Sequence, residues 1–164
     1  MKKFSRCLIA LSFYFVLNSS IFANRWTPEM MIQYQRLSST AISEDGKFIA
    51  YEVSTPILES EKSEFHSQIW LLSTYDKSRF QLTQGKTSSS QPKFSPDNKW
   101  LGFLSARGEK KTRQLFIISV SGGESIQITD VASSVNRFDW SPDAMKIAFT
   151  MADPETDDDK KRKK

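Results

Sequence analysis

A twelve-residue pattern occurs three times in this chain, and it restricts the possible folds more than any other feature. The copies occupy residues 40–51 (TAISEDGKFIAY), 92–103 (PKFSPDNKWLGF) and 138–149 (FDWSPDAMKIAF). Each runs through an apolar residue, Ser, Pro or Glu, Asp and a turn residue into an apolar, small, aromatic run. The serine falls at 43, 95 and 141, at spacings of 52 and 46 residues. Such a unit predicts a tight β-hairpin. Proline after serine presets φ for a turn, and aspartate can bond its own backbone. Gly46 and Asn98 tolerate a left-handed turn position. Ala144 in that conformation costs on the order of 1 kcal/mol, unless its turn takes another shape. Residues 48–51 and their copies then read as a buried strand, with a small residue (Ala50, Gly102, Ala148) where neighbours approach closely.

A second unit follows the first two hairpins. Residues 68–73 and 79–83 form one copy, and residues 114–119 and 122–129 the other. Each is two strands about a polar turn, marked by Asp76-Lys77-Ser78 and by Gly122-Gly123. Two hairpins per module give four strands in roughly 40–50 residues, the size of a propeller blade. The expectation is an all-β, incomplete β-propeller with blades at 38–84, 88–129 and 134–151, the third containing only two strands. Residues 55–66 read as a polar loop. Residues 152–164 hold five acids, then five bases, and read as a charged, disordered tail.

The first 23 residues have the layout of a secretory signal peptide. Lys2, Lys3 and Arg6 are the basic start, Cys7 to Leu17 an apolar run, and Ala23 the last residue before cleavage. The run is shorter than the ~20 residues of a membrane span. Export to the periplasm or medium follows, without stable membrane insertion. Loss of three basic residues lowers the formal charge from +4 to +1, which removes the electrostatic argument for nucleic-acid binding. Cys7 is the only cysteine, so the mature chain has no disulfide and no thiol chemistry. Residues 24–37 form a lead-in. Thr27 as N-cap, Pro28 at the first helical position and Glu29 in the first turn predict a short helix from Pro28 to about Gln35.

The Ser-Pro-Asp hairpin resembles the repeat shared by TolB-type propellers and the prolyl oligopeptidase family. The stretch Trp26-Thr27-Pro28-Glu29-Met30-Met31, leading directly into the first repeat, looks like the acylaminoacyl-peptidase and dipeptidyl-aminopeptidase branch of that family. TolB places an α/β domain before its propeller. The charged run after the third hairpin also looks like an insertion these peptidases carry there. The resemblance implies a propeller that gates an α/β-hydrolase domain with a Ser, Asp and His triad. It also implies peptide substrates for the completed enzyme, and it leaves a TolB-like interaction protein as the alternative.

This chain is expected to stop before that hydrolase domain, so no catalytic, cofactor-binding or metal-binding residue is assigned. A nucleophile elbow needs Gly-x-Ser-x-Gly. The nearest approach, Gly123-Glu124-Ser125-Ile126-Gln127, lacks the last glycine. His66 is the only histidine and reads as an ordinary surface residue. The acids Asp153, Glu155, Asp157, Asp158 and Asp159 lack the shaped loop of a calcium site. The bases from Lys160 to Lys164 are offset by those acids beyond a screening length of about 8 Å. The expected function is that of a non-catalytic propeller fragment of an exported peptidase. Its expected partner is the remaining blades and hydrolase domain, encoded separately.

Overall fold

The computed structural model describes residues 27, 30, 33–59 and 62–153. The signal peptide, most of the lead-in helix and the tail beyond residue 153 lie outside the described residues. At the lead-in, Met30 N–H donates to Thr27 Oγ1 at 3.3 Å, the bond expected of an N-cap. Met30 and Gln33 are helical, whereas Tyr34 and Gln35 are not. The predicted helix therefore ends before Gln35, because the chain turns into its first strand at Arg36.

Among the described residues, ten strands form three antiparallel sheets. The first contains β1 (Arg36–Ile42), β2 (Phe48–Glu59), β3 (Lys62–Ser73) and β4 (Arg79–Gln81), hydrogen-bonded in chain order. The second repeats this order with β5 (Ser89–Phe94), β6 (Trp100–Ser105), β7 (Gln114–Ser119) and β8 (Ile126–Gln127). The third pairs β9 (Val135–Trp140) with β10 (Ile147–Met151). The all-β expectation and the four-stranded modules hold.

Each repeat hairpin closes through the same atoms. Ser43, Ser95 and Ser141 Oγ donate to Asp45, Asp97 and Asp143 Oδ1 at 2.8, 2.6 and 2.5 Å. The same hydroxyls accept from the N–H groups of Phe48, Trp100 and Lys146 at 2.9, 3.0 and 2.8 Å. Gly46, Asn98 and Ala144 have φ of 68°, 59° and 58°. The third turn thus has the same shape as the others, and Ala144 bears the left-handed strain.

A second latch holds each outer strand. Thr83 Oγ1 accepts from Ile69 N–H at 2.9 Å and donates to Gln68 Oε1 at 2.6 Å. Thr129 repeats this with Leu115 N–H at 2.9 Å and Gln114 Oε1 at 2.8 Å. Gln68, Thr83, Gln114 and Thr129 are all buried, so an apolar neighbour could not replace these bonds. The latches fix β4 and β8, whose ladders contain only three and two residues.

The sheets stack through two apolar seams. Ala50, Ile69 and Leu71 of the first sheet meet Leu101, Phe103, Phe116 and Ile118 of the second. Leu104 and Leu115, on the second sheet's other face, pack with Val135 and Phe138 of the third. Strand β6 is therefore buried on both faces, which explains its nearly unbroken apolar run. Full burial of a Leu or Phe side chain contributes about 1.5–3 kcal/mol, so the seams are the main attraction between sheets. A Cβ on Gly102 would lie 2.6 Å from Phe138 Cε2. Glycine there lets the third sheet approach, as the small position of the repeat predicts. Ala148, its counterpart in β10, is exposed.

Residues 55–59 and 62–66 are strand, not the predicted loop. Strands β2 and β3 pair without interruption from Phe48↔Ser73 to Glu59↔Lys62. Strand β1 stops opposite Ser54 and β4 opposite Trp70. The hairpin therefore continues as a two-stranded arm past the sheet. Its β-branched and aromatic residues, Thr55, Ile57 and Phe65, favour strand despite the polar composition. Arg36 steadies the arm with its guanidinium 4.3 Å from the Phe65 ring centre.

Candidate functional site

The first strand of each sheet bulges near the same point of the repeat. The register slips between Ser38 and Thr40 in β1, and between Ser90 and Lys93 in β5. In the third sheet Thr150 faces Arg137 and Met151 faces Val135, so Asn136 of β9 is the extra residue. Gln91 has φ of 55° at its bulge. Bulges interrupt the ladder and re-aim side chains, and they are frequent beside functional sites.

These inner strands are tied to one another. Gln91 Nε2 donates to Asn136 O at 3.3 Å, and Trp140 Nε1 donates to Lys93 O at 3.2 Å. Lys93 Nζ pairs with Asp139 Oδ1 at 2.8 Å. One turn further out, Glu44 N–H donates to Asn98 Oδ1 at 2.8 Å, which joins the first two repeat hairpins. The result is a groove in which the polar Ser39, Gln91, Lys93, Arg137, Asp139 and Thr150 lie beside the apolar Phe138, Ala148 and Phe149. Arg137 is exposed and has no carboxylate partner among the described residues.

A second polar cluster lies in the seam between the first two sheets. Arg107 is half-buried. Its Nε, Nη1 and Nη2 donate to Ser105, Ser125 and Ser89 Oγ at 3.2, 3.1 and 2.7 Å. Its guanidinium carbon lies 5.0 and 5.5 Å from the Phe103 and Phe116 ring centres. Burial pushes the guanidinium pKa down. Three hydroxyls and two ring faces replace the water that the cation loses, so Arg107 joins the inner, second and outer strands of one sheet. Sequence reasoning missed this residue. Its partners are up to 18 residues away, and only an arginine directly after an apolar strand marked it.

The residues weighed for catalysis are not brought together. Ser125, just before β8, accepts its hydrogen bond from Arg107, which is a cation and cannot serve as a base. His66 lies on the first sheet, half-buried. Its Nε2 is 2.9 Å from Gly85 O and 2.6 Å from Gln68 Nε2. No carboxylate orients that ring among the described residues. No group of three or more His, Cys, Asp or Glu side chains converges there to hold a metal ion. Asp153 is exposed, and the rest of the acidic and basic tail lies outside the described residues.

Comparison with known proteins places this geometry. Residues 47–112 match the family of the N-terminal domain of acylamino-acid-releasing enzymes. The chain is 36% identical over 108 residues to the uncharacterised peptidase YuxL of Bacillus subtilis, covering 66% of this chain and 16% of that protein. It is 26% identical over 125 residues to dipeptidyl-peptidase 5 of Porphyromonas endodontalis, covering 76% of this chain and 17% of that protein. The chain thus spans about a sixth of these relatives. Among solved structures, the acylaminoacyl peptidase of Pyrococcus horikoshii superimposes with a TM-score of 0.58 at 21% identity, covering 73% of this chain and 18% of that one. A TolB-type protein of Agrobacterium tumefaciens superimposes at 0.55 and 24% identity, covering 73% and 41%. The structural likenesses establish the propeller fold. The family and sequence matches show similarity to the N-terminal propeller part of prolyl oligopeptidase-family peptidases.

Proposed function

We propose that this chain supplies the first blades of a β-propeller that stands before the hydrolase domain of an exported prolyl oligopeptidase-family serine peptidase. The chain builds part of the wall through which peptides reach the hydrolase, and contributes no member of the catalytic triad. The match to YuxL carries this reading. It pairs 36% of residues over 108 positions with a peptidase, whereas the likeness to TolB is one of fold. The basic start at Lys2, Lys3 and Arg6 and the apolar run that follows support export. The partners on this reading are the further blades and the hydrolase domain, and the substrates are short peptides.

The test is hydrolysis of acyl-aminoacyl and dipeptidyl chromogenic substrates. The purified chain is assayed alone and together with a polypeptide that supplies the further blades and the hydrolase domain. The expected outcome is no turnover alone and turnover on mixing. Turnover by the chain alone would require an unrecognised nucleophile and refute the proposal. Silence in both arms would favour an interaction role of the TolB type.

A further inference from the structure

We infer that the groove along the inner strands binds the carboxylate of an acidic peptide, with Arg137 as the anion-binding group. Four observations converge. The inner strands of all three sheets bulge near the same point of the repeat, which interrupts the ladder beside the groove. The groove beside the bulges combines polar side chains at Ser39, Gln91, Arg137 and Thr150 with apolar ones at Phe138 and Phe149. Its one carboxylate, on Asp139, is already engaged by Lys93 at 2.8 Å. Arg137 therefore brings a cation to the groove without a carboxylate partner among the described residues.

An extended peptide suits this surface. The apolar part of the lining, at Phe138, Ala148 and Phe149, gives contact without sequence preference. A guanidinium offers a planar fork that matches a carboxylate bidentately, which gives preference for Glu, Asp or a free C-terminus. Lys93 cannot take that role while it holds Asp139 and lies 5.7 Å from the Phe138 ring centre. Arg137 is on β9, where the turn latch at Ser141 and the bond from Trp140 to Lys93 O fix the strand. The anion-binding position is thus held by secondary structure rather than by a loop.

The inference rests on the peptidase reading for the identity of the ligand as a peptide, but its test needs no hydrolysis. Fluorescence anisotropy of labelled acetyl-Ala-Glu-Glu-Ala-amide is measured with the full 164-residue chain, against the Gln-Gln analogue. Binding of the acidic peptide at least tenfold tighter is expected, weakening as salt is raised. Arg137→Gln should abolish the difference, and Arg137→Glu should reverse it in favour of a Lys-Lys peptide. Circular dichroism of both variants checks that the fold persists. Equal affinity for the Glu and Gln peptides, an unchanged preference in Arg137→Gln, or no binding to the wild-type chain would each overturn the inference. Loss of turnover on mixing with intact peptide preference would count against the peptidase reading alone.

Discussion

At the residue scale, the hairpin latch links sequence to pH dependence. Asp45, Asp97 and Asp143 have carboxyl pKa values below the usual 3.8, chiefly because Ser43, Ser95 and Ser141 donate to them. Asp76 is pulled down to about 2, mainly by Ser73 and then by Ser78. A carboxyl group with a depressed folded-state pKa contributes stability at pH values above its unfolded pKa. That contribution disappears as pH falls through the folded value. The expected outcome is a urea midpoint that is insensitive to these groups at neutral pH and declines from about pH 4 toward pH 2. Asp97→Asn keeps an acceptor for Ser95 and for Lys99 N–H but cannot titrate. It should make that decline shallower, and an identical acid profile would show that the latch does not contribute. The sequence predicts the turn and an aspartate bonded to its own backbone, while the serine hydroxyl as donor emerges from the structure.

At the element scale, the decisive contact is β6 against β9. Gly102 leaves no room for a side chain, since even a Cβ would meet Phe138 Cε2 at 2.6 Å and Cζ at 3.0 Å. Phe138 is 2% exposed, so its ring has little space to withdraw. Gly102→Val should cost about 1–3 kcal/mol through overpacking, read as a lower urea midpoint. A midpoint equal to the wild type would mean that the third sheet does not pack as described. The repeat made this position visible, because Ala50 and Gly102 occupy the same place in their copies. The arm at residues 55–66 was not visible. Its polar composition signalled a loop, while strand persistence depended on uninterrupted pairing of β2 with β3 and on Arg36 against Phe65.

At the scale of the whole molecule, stacking leaves β10 with one unpaired edge among the described residues. Phe149 and Met151 on this strand are 40% and 38% exposed. Unpaired ladder groups beside exposed apolar side chains favour pairing with another chain. In sedimentation velocity, the 164-residue chain should give faster species as its concentration rises through the micromolar range. Thr150→Lys should suppress them by placing charge on that edge. A concentration-independent monomer would show that the edge is protected.

The boundary between what was legible and what was not follows contact range. Local rules gave the hairpin turns, the alternation of strand and turn, and the four-strand module. They needed only neighbouring residues: an aspartate able to bond its own backbone, a left-handed position and the apolar run after it. Repetition extended those rules to the propeller architecture. The groove was decided by tertiary structure, because Ser39, Gln91 and Arg137 come from three sheets and meet only after both seams are buried. The same holds for Arg107, whose three serines are Ser89 on β5, Ser105 on β6 and Ser125 just before β8. Sequence alone determined the blades of this protein through short-range bonds. Tertiary structure alone decided which polar groups face one another between blades, because stacking of the apolar seams sets those distances.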